Sequence, residues 1–166
     1  MNDRDYMQMT LKLAQETLEA GEFPVGCTIV YQDRIIAQAS RVGTRPGQVN
    51  EVDHAEMLAL RKLAGLSNTI DLRRTTLYCN LEPCLMCYGA IILSGIGKLV
   101  YAYEDAMGGA TRCRFDDLTT LYRDARLTIV PHVLREQSLK LFQQFFANPQ
   151  NHYWQNSQLA QYTLQQ

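Results

Sequence analysis

Two hydrophobic periods alternate along this chain. In residues 3–20, Met7, Leu11, Ala14 and Leu18 recur at steps of three and four, which predicts an amphipathic helix. Gly21-Glu22-Phe23-Pro24 then turns the chain into two extended runs, residues 25–31 and 34–40, and Gln32-Asp33 between them is enough for a hairpin. Residues 41–52 carry Gly43, Pro46 and Gly47 and no apolar stripe, so they form a loop. A second helix is predicted from Asp53, its N-cap, to about Leu63. Residues 75–79 form a strand. Pro83 opens a third helix, because its missing N–H costs nothing in the first turn, and Ser94-Gly95 stops it. Residues 99–103 and 127–131 are further strands, and a helix follows at about residues 133–146. Strands alternating with helices predict an α/β/α sandwich with some parallel pairing.

At 166 residues and 46% hydrophobic, the chain suits one globular domain over residues 1–166. No apolar run reaches membrane-spanning length, so no membrane partner is expected. A net charge of −1 gives no general pull towards nucleic acid. Residues 147–166 form an extension without a single Lys, Arg, Asp or Glu, rich in Gln and Asn. Either it frays as a polar terminus, or Tyr153, Trp154, Leu159 and Tyr162 pack it back near a pocket.

The chemistry sits in two short motifs. His54-Ala55-Glu56 is followed by Pro83-Cys84-Leu85-Met86-Cys87, the H-x-E … P-C-x-x-C spacing of zinc nucleobase deaminases. One imidazole and two thiolates supply three of the four tetrahedral ligands of Zn2+, and the fourth corner is left for water. Cys84 and Cys87, three apart, project from one face of a first helical turn, where the helix dipole favours thiolates. Other readings exist for each half. Asp53-x-x-Glu56 is also an acceptable capping box, and a lone Cys-x-x-Cys serves redox or structural zinc sites. Both halves in order, without a second Cys pair, favour a catalytic metal. Cys27 and Cys79 fall in apolar strands as small hydrophobes, and Cys113 lies in a polar loop. Five cysteines without a signal peptide predict a reducing cytoplasm rather than a disulfide scaffold.

With these residues the chain resembles the cytidine deaminase-like superfamily, in particular the branch of tRNA adenosine deaminases and guanine deaminases. The similar stretches are Gly21 to Gly26, His54 to Arg61, Thr76 to Tyr78, Leu81 to Ala90, Gly95 to Tyr101, Asp105 and Gly109-Ala110. The resemblance implies a three-layer fold around a mixed five-stranded sheet, a homodimer, and hydrolysis of an exocyclic amine. It assigns His54, Cys84 and Cys87 as zinc ligands and Glu56 as the proton shuttle between water, ring nitrogen and departing amine. It further places the Ala55 backbone and the loop of Phe23 to Gly26 around the base, although Phe23 reads equally as an ordinary core residue.

The chain departs from the tRNA branch in ways that bear on substrate. That branch carries Asn-Arg-Pro before the zinc His; here the stretch is Gly43-Thr44-Arg45-Pro46-Gly47, leaving Thr44 or Asn50 as the polar candidate. Met107 stands where the branch tends to have Lys, and the uncharged extension replaces a basic tail. Lys and Arg contacts to phosphate dominate RNA affinity. The expected substrate is therefore a small purine-type nucleobase, nucleoside or related heterocycle. Adenosine in tRNA comes next and a cytosine-type compound third; a zinc-stabilised binding module is the non-enzymatic alternative. Arg41, Arg45, Arg112 and Arg114 form either a solvated mixed surface or a phosphate clamp, and Glu104 and Asp105 either a turn or acceptors for a purine edge.

Overall fold

The computed structural model describes residues 1–66 and 69–166. Its elements run α1 (Asp3–Glu19), β1 (Gly26–Tyr31), β2 (Arg34–Ser40), α2 (Ala55–Ala64), β3 (Thr75–Leu81), α3 (Leu85–Leu93), β4 (Lys98–Tyr103), α4 (Thr120–Arg123), β5 (Thr128–Val130), α5 (Arg135–Ala147) and α6 (Gln158–Leu164). The five strands make one mixed sheet in the order β2-β1-β3-β4-β5. β1 is antiparallel to both β2 and β3, whereas β3, β4 and β5 are parallel. The hairpin turns through Gln32 (φ 48°) and Asp33 (φ 60°), the doubly left-handed geometry whose twist matches the strands it joins.

Alternation along the strands sorts the core into two layers. Tyr6, Met7, Leu11 and Ala14 of α1, with Leu141 of α5, pack on Val30, Tyr78, Val100 and Ala102. Cys27, Ile29, Leu77, Cys79, Leu99 and Tyr101 face the other way, towards Ala59, Leu60 and Leu63 of α2 and Ile91 of α3. Gly26 lets α1 lie close against β1, since a Cβ there would come within 2.6 Å of the Thr10 carbonyl oxygen.

Three local outcomes differ from the sequence expectation, and a fourth decides between two readings that it left open. The N-cap of α2 is His54 and not Asp53, whose carboxylate instead accepts from Asn50 (2.7 Å) and Arg61 (2.9 Å); no capping box forms. α3 begins after Cys84, because Pro83-Cys84 stays extended where Cys84 bridges Gly109 and the Ala110 N–H donates to the Pro83 carbonyl. β3 runs two residues past Cys79. Its fully buried Asn80 accepts from the Gly26 N–H (2.7 Å) and donates to the Pro24 carbonyl (2.8 Å) and Ser138 (3.1 Å), which offsets the cost of burying an amide. The C-terminal extension is folded: Ser157 caps α6, and Leu159, Ala160 and Thr163 are buried.

Candidate metal centre and pocket

β3 delivers α3, and the long β2–α2 connection delivers α2, so that the two helix starts face each other. At each start the N-cap residue makes no side-chain cap bond: His54 (φ −66°, ψ 153°) and Cys84 (φ −69°, ψ 171°) turn their donors towards one point. His54 Nδ1 lies 3.7 Å from Cys84 Sγ and 3.5 Å from Cys87 Sγ, and all three donor atoms fall within 4.8 Å of one another. Two sulfurs and one imidazole nitrogen suit zinc, and three protein donors leave its fourth position open. The electrostatics agree. A hydrogen bond from Cys87 brings the Cys84 thiol down to about 4 against its burial, with help from His54, while Cys87 itself is pushed up. The pair therefore holds one negative charge, and a divalent cation would displace the remaining proton. Burial pulls His54 down, but Cys84 and Glu56 more than offset it and its net shift is upward.

The donors open onto a cavity of about 250 Å³, whose lining includes His54, Cys84, Glu56, Phe23 and Asp105. Glu56, in the first turn of α2, is 4% exposed, and burial raises its carboxyl above the usual range. Asp105 is raised by burial too, although its Oδ1 accepts from the Met107 and Gly108 N–H groups (both 2.9 Å). Phe23 reaches the lining from a cluster with Phe142, Phe145, Phe146 and Tyr153. A larger groove of about 790 Å³ between α1 and α5 is lined by none of the metal donors.

The remaining candidates sit elsewhere. Ala55 is fully buried at the start of α2 and is not in the cavity lining. Thr44 is buried outside the cavity, where its hydroxyl accepts from the Phe23 N–H (2.8 Å) and donates to Glu22; it fixes the Phe23 loop. Asn50 is exposed and spends its carbonyl on the Val52 and Asp53 N–H groups (2.9 and 3.2 Å), bracing the approach to His54. Arg45 pairs with Glu22 and Arg114 with Asp116, and neither lines the cavity. Glu104 is engaged by Arg135 and Tyr162.

Sequence reasoning did not single out Glu51 or Glu82 as lining residues; it offered Tyr153 and Trp154 only as packing near a pocket, and Arg41 as either solvated surface or phosphate clamp. Arg41 is 2% exposed and donates to the Val42 and Asp53 carbonyls (Asp53 at 3.1 Å) and to Tyr153 (3.2 Å). Glu82 accepts from the Asp105 N–H (3.2 Å) and the Thr111 N–H (3.1 Å). Trp154 holds φ 54°, a left-handed backbone unusual for a bulky residue. Of these, only the aromatics left a signal, as an uncharged stretch too rich in rings for a frayed end.

Comparison with known proteins agrees with this geometry. Residues 1–103 match the family described as the cytidine and deoxycytidylate deaminase zinc-binding region. A tRNA-specific adenosine deaminase of Bacillus subtilis (strain 168) is 33% identical over 144 residues, 87% of this chain and 88% of its own. A structure from studies of A-to-I editing by tRNA deaminases at the wobble position superposes with a TM-score of 0.68 at 28% identity, covering 82% of this chain and 98% of that one. A guanine deaminase from Nitrosomonas europaea shares the fold, with a TM-score of 0.67 at 23% identity over 87% and 84% of the two chains.

Proposed function

The chain belongs to the cytidine and deoxycytidylate deaminase zinc-binding family, and from that premise we propose that it hydrolyses the exocyclic amine of a small purine-type nucleobase, nucleoside or related heterocycle, releasing ammonia. The observation that carries the substrate reading is the cavity. Glu56, His54 and Cys84 line a space of about 250 Å³, below the ~300–1,000 Å³ range common for drug-sized ligands, and Tyr153, Trp154 and Leu159 of the C-terminal extension complete its lining. Such a space suits one flat heterocycle.

Zinc held by His54, Cys84 and Cys87 would supply Lewis-acid activation of water at neutral pH. Glu56 would carry two protons in turn, the first from the attacking water to a ring nitrogen and the second from the added hydroxyl to the amine, which leaves as ammonia as the C=O forms. Its burial suits both halves of the task, since a carboxyl raised towards neutrality both accepts and donates. Phe23, Tyr153 and Trp154 offer ring faces and edges to the heterocycle, and Asp105 offers a carboxylate to an N–H on its edge. Glu51, Glu56, Glu82 and Asp105 line the cavity alongside a single guanidinium, that of Arg41, whose hydrogen bonds are already committed. This charge balance disfavours a phosphate in the cavity. Residues 1–166 would act as one deaminase domain. Exposed Leu85 and Leu93 of α3, and Leu121 of α4 packed against it, support a homodimer. Five free cysteines support a reducing cytoplasm.

The second reading is deamination of adenosine in tRNA, favoured by the relatives that carry that name. An ammonia-release screen over free bases, nucleosides, nucleotides and unmodified tRNA separates the two. Turnover of a free base or nucleoside, insensitive to salt, is expected. Turnover confined to tRNA and falling steeply as salt rises would replace the first reading with the second.

A further inference from the structure

Glu51 stands in the β2–α2 connection, three residues before His54, and its Oε2 is a meeting point for three elements distant in sequence. The Tyr153 hydroxyl of the C-terminal extension donates to it at 2.7 Å. Arg41, at the end of β2, approaches it at 3.4 Å. His54 Nε2, the ring nitrogen turned away from the sulfurs, faces it at 3.9 Å. Among the described residues Glu51 is the carboxylate that pairs with Nε2. Arg41 ties the same cluster to the backbone leading into the metal motif through the Asp53 carbonyl, and its guanidinium lies 5.7 Å from the Tyr153 ring centre.

A histidine that ligates a metal through one ring nitrogen usually gives its other N–H to a carboxylate, carbonyl or water, which fixes the ring and raises its basicity. We infer that Glu51 is the positioning residue for His54, and that Tyr153, more than a hundred positions away in the chain, holds Glu51 in place, so that the C-terminal extension tunes the affinity of the metal centre. The inference rests on the zinc reading above and deepens it. With metal on Nδ1, the other ring nitrogen carries the proton, 3.9 Å from the Glu51 Oε2 on which the Tyr153 O–H and one Arg41 N–H also converge. Without Tyr153, Glu51 is a half-exposed side chain at a loop, free to turn to solvent.

Zinc affinity, measured by competition with a chromophoric chelator, tests this without using activity. Tyr153→Phe keeps the ring against Phe23 and Trp154 and removes only the donor; Glu51→Gln keeps the shape of a half-exposed residue. Each is expected to weaken zinc binding by about tenfold, the low end of what such second partners contribute. The double variant should be no weaker than the poorer single, because both break one chain of contacts. Zinc affinity within twofold of wild type in Tyr153→Phe, with only its melting temperature lowered, would overturn the proposal, as would additive losses in the double variant. Cys84→Ser marks the loss expected when a ligand itself is removed. Wild-type protein that takes up no zinc would bring down the deaminase reading and this proposal with it, whereas normal affinity in the Tyr153 and Glu51 variants would overturn this proposal and leave the deaminase reading standing.

Discussion

Replacing Glu104 with Gln should loosen the C-terminal helix without touching the metal. Glu104 follows β4 and holds α5 and α6 together: Arg135 Nε donates to it at 2.8 Å, and the Tyr162 hydroxyl of α6 at 2.8 Å. Burial pushes the Glu104 carboxyl up, but Arg135, its own backbone N–H and Tyr162 outweigh this and hold it at about 2, against an ordinary 4.5. At roughly 1.4 kcal/mol per factor of ten in acidity, the ceiling on this stabilisation is about 3 kcal/mol. Solvent screening of the part-buried cluster brings the expected loss to the order of 1–2 kcal/mol. For a chain of this size that is a fall of about 4 °C in melting temperature. The sign with pH follows from the depressed folded value. The contribution is complete above pH 4.5 and fades as pH falls from there towards 2, as the carboxylate protonates. Thermal unfolding of wild type and Glu104→Gln from pH 7 down to 4 should show a constant gap that begins to narrow at the acid end. Equal melting temperatures at pH 7, or a gap that widens on acidification, would refute the reasoning.

Two further outcomes test the pocket. Gly109→Ala places a methyl against the Glu82 carboxylate and 2.6 Å from the Asp105 carbonyl oxygen, so it should displace Asp105 and lower kcat/KM at least tenfold, with zinc content unchanged when measured by elemental analysis. Trp154→Ala removes a lining residue that is 44% exposed; steady-state kinetics should show KM rising several-fold with little change in kcat or melting temperature.

The ligand set was legible because its residues lie in two short motifs whose spacing is dictated by helix geometry. His54, Cys84 and Cys87 meet where that spacing puts them. The strands β1 and β2 and their two-residue turn were legible for the same local reason. What escaped is non-local. Glu51 and Tyr153 meet across 102 positions, and no periodicity in either segment marks the pair. Asp53 has the right chemistry for an N-cap, but Asn50 and Arg61 compete for its carboxylate and His54 takes the position. Asn80 looks like a strand end, yet three buried partners make it part of the strand. The α6 helix did carry a signal, Ser157 as N-cap before Leu159, Ala160 and Thr163, but the surrounding Gln and Asn obscured it.

The most direct measurement is made on Glu56→Gln, with zinc content and ammonia release assayed on the same preparation, using whichever substrate the screen identifies. The account predicts one equivalent of zinc per chain, an unchanged melting profile, and turnover reduced by at least a hundredfold, the low end of what a general acid–base contributes. Full zinc with undiminished turnover would show that the buried carboxylate beside the metal carries no proton, and would contradict the mechanism at its centre.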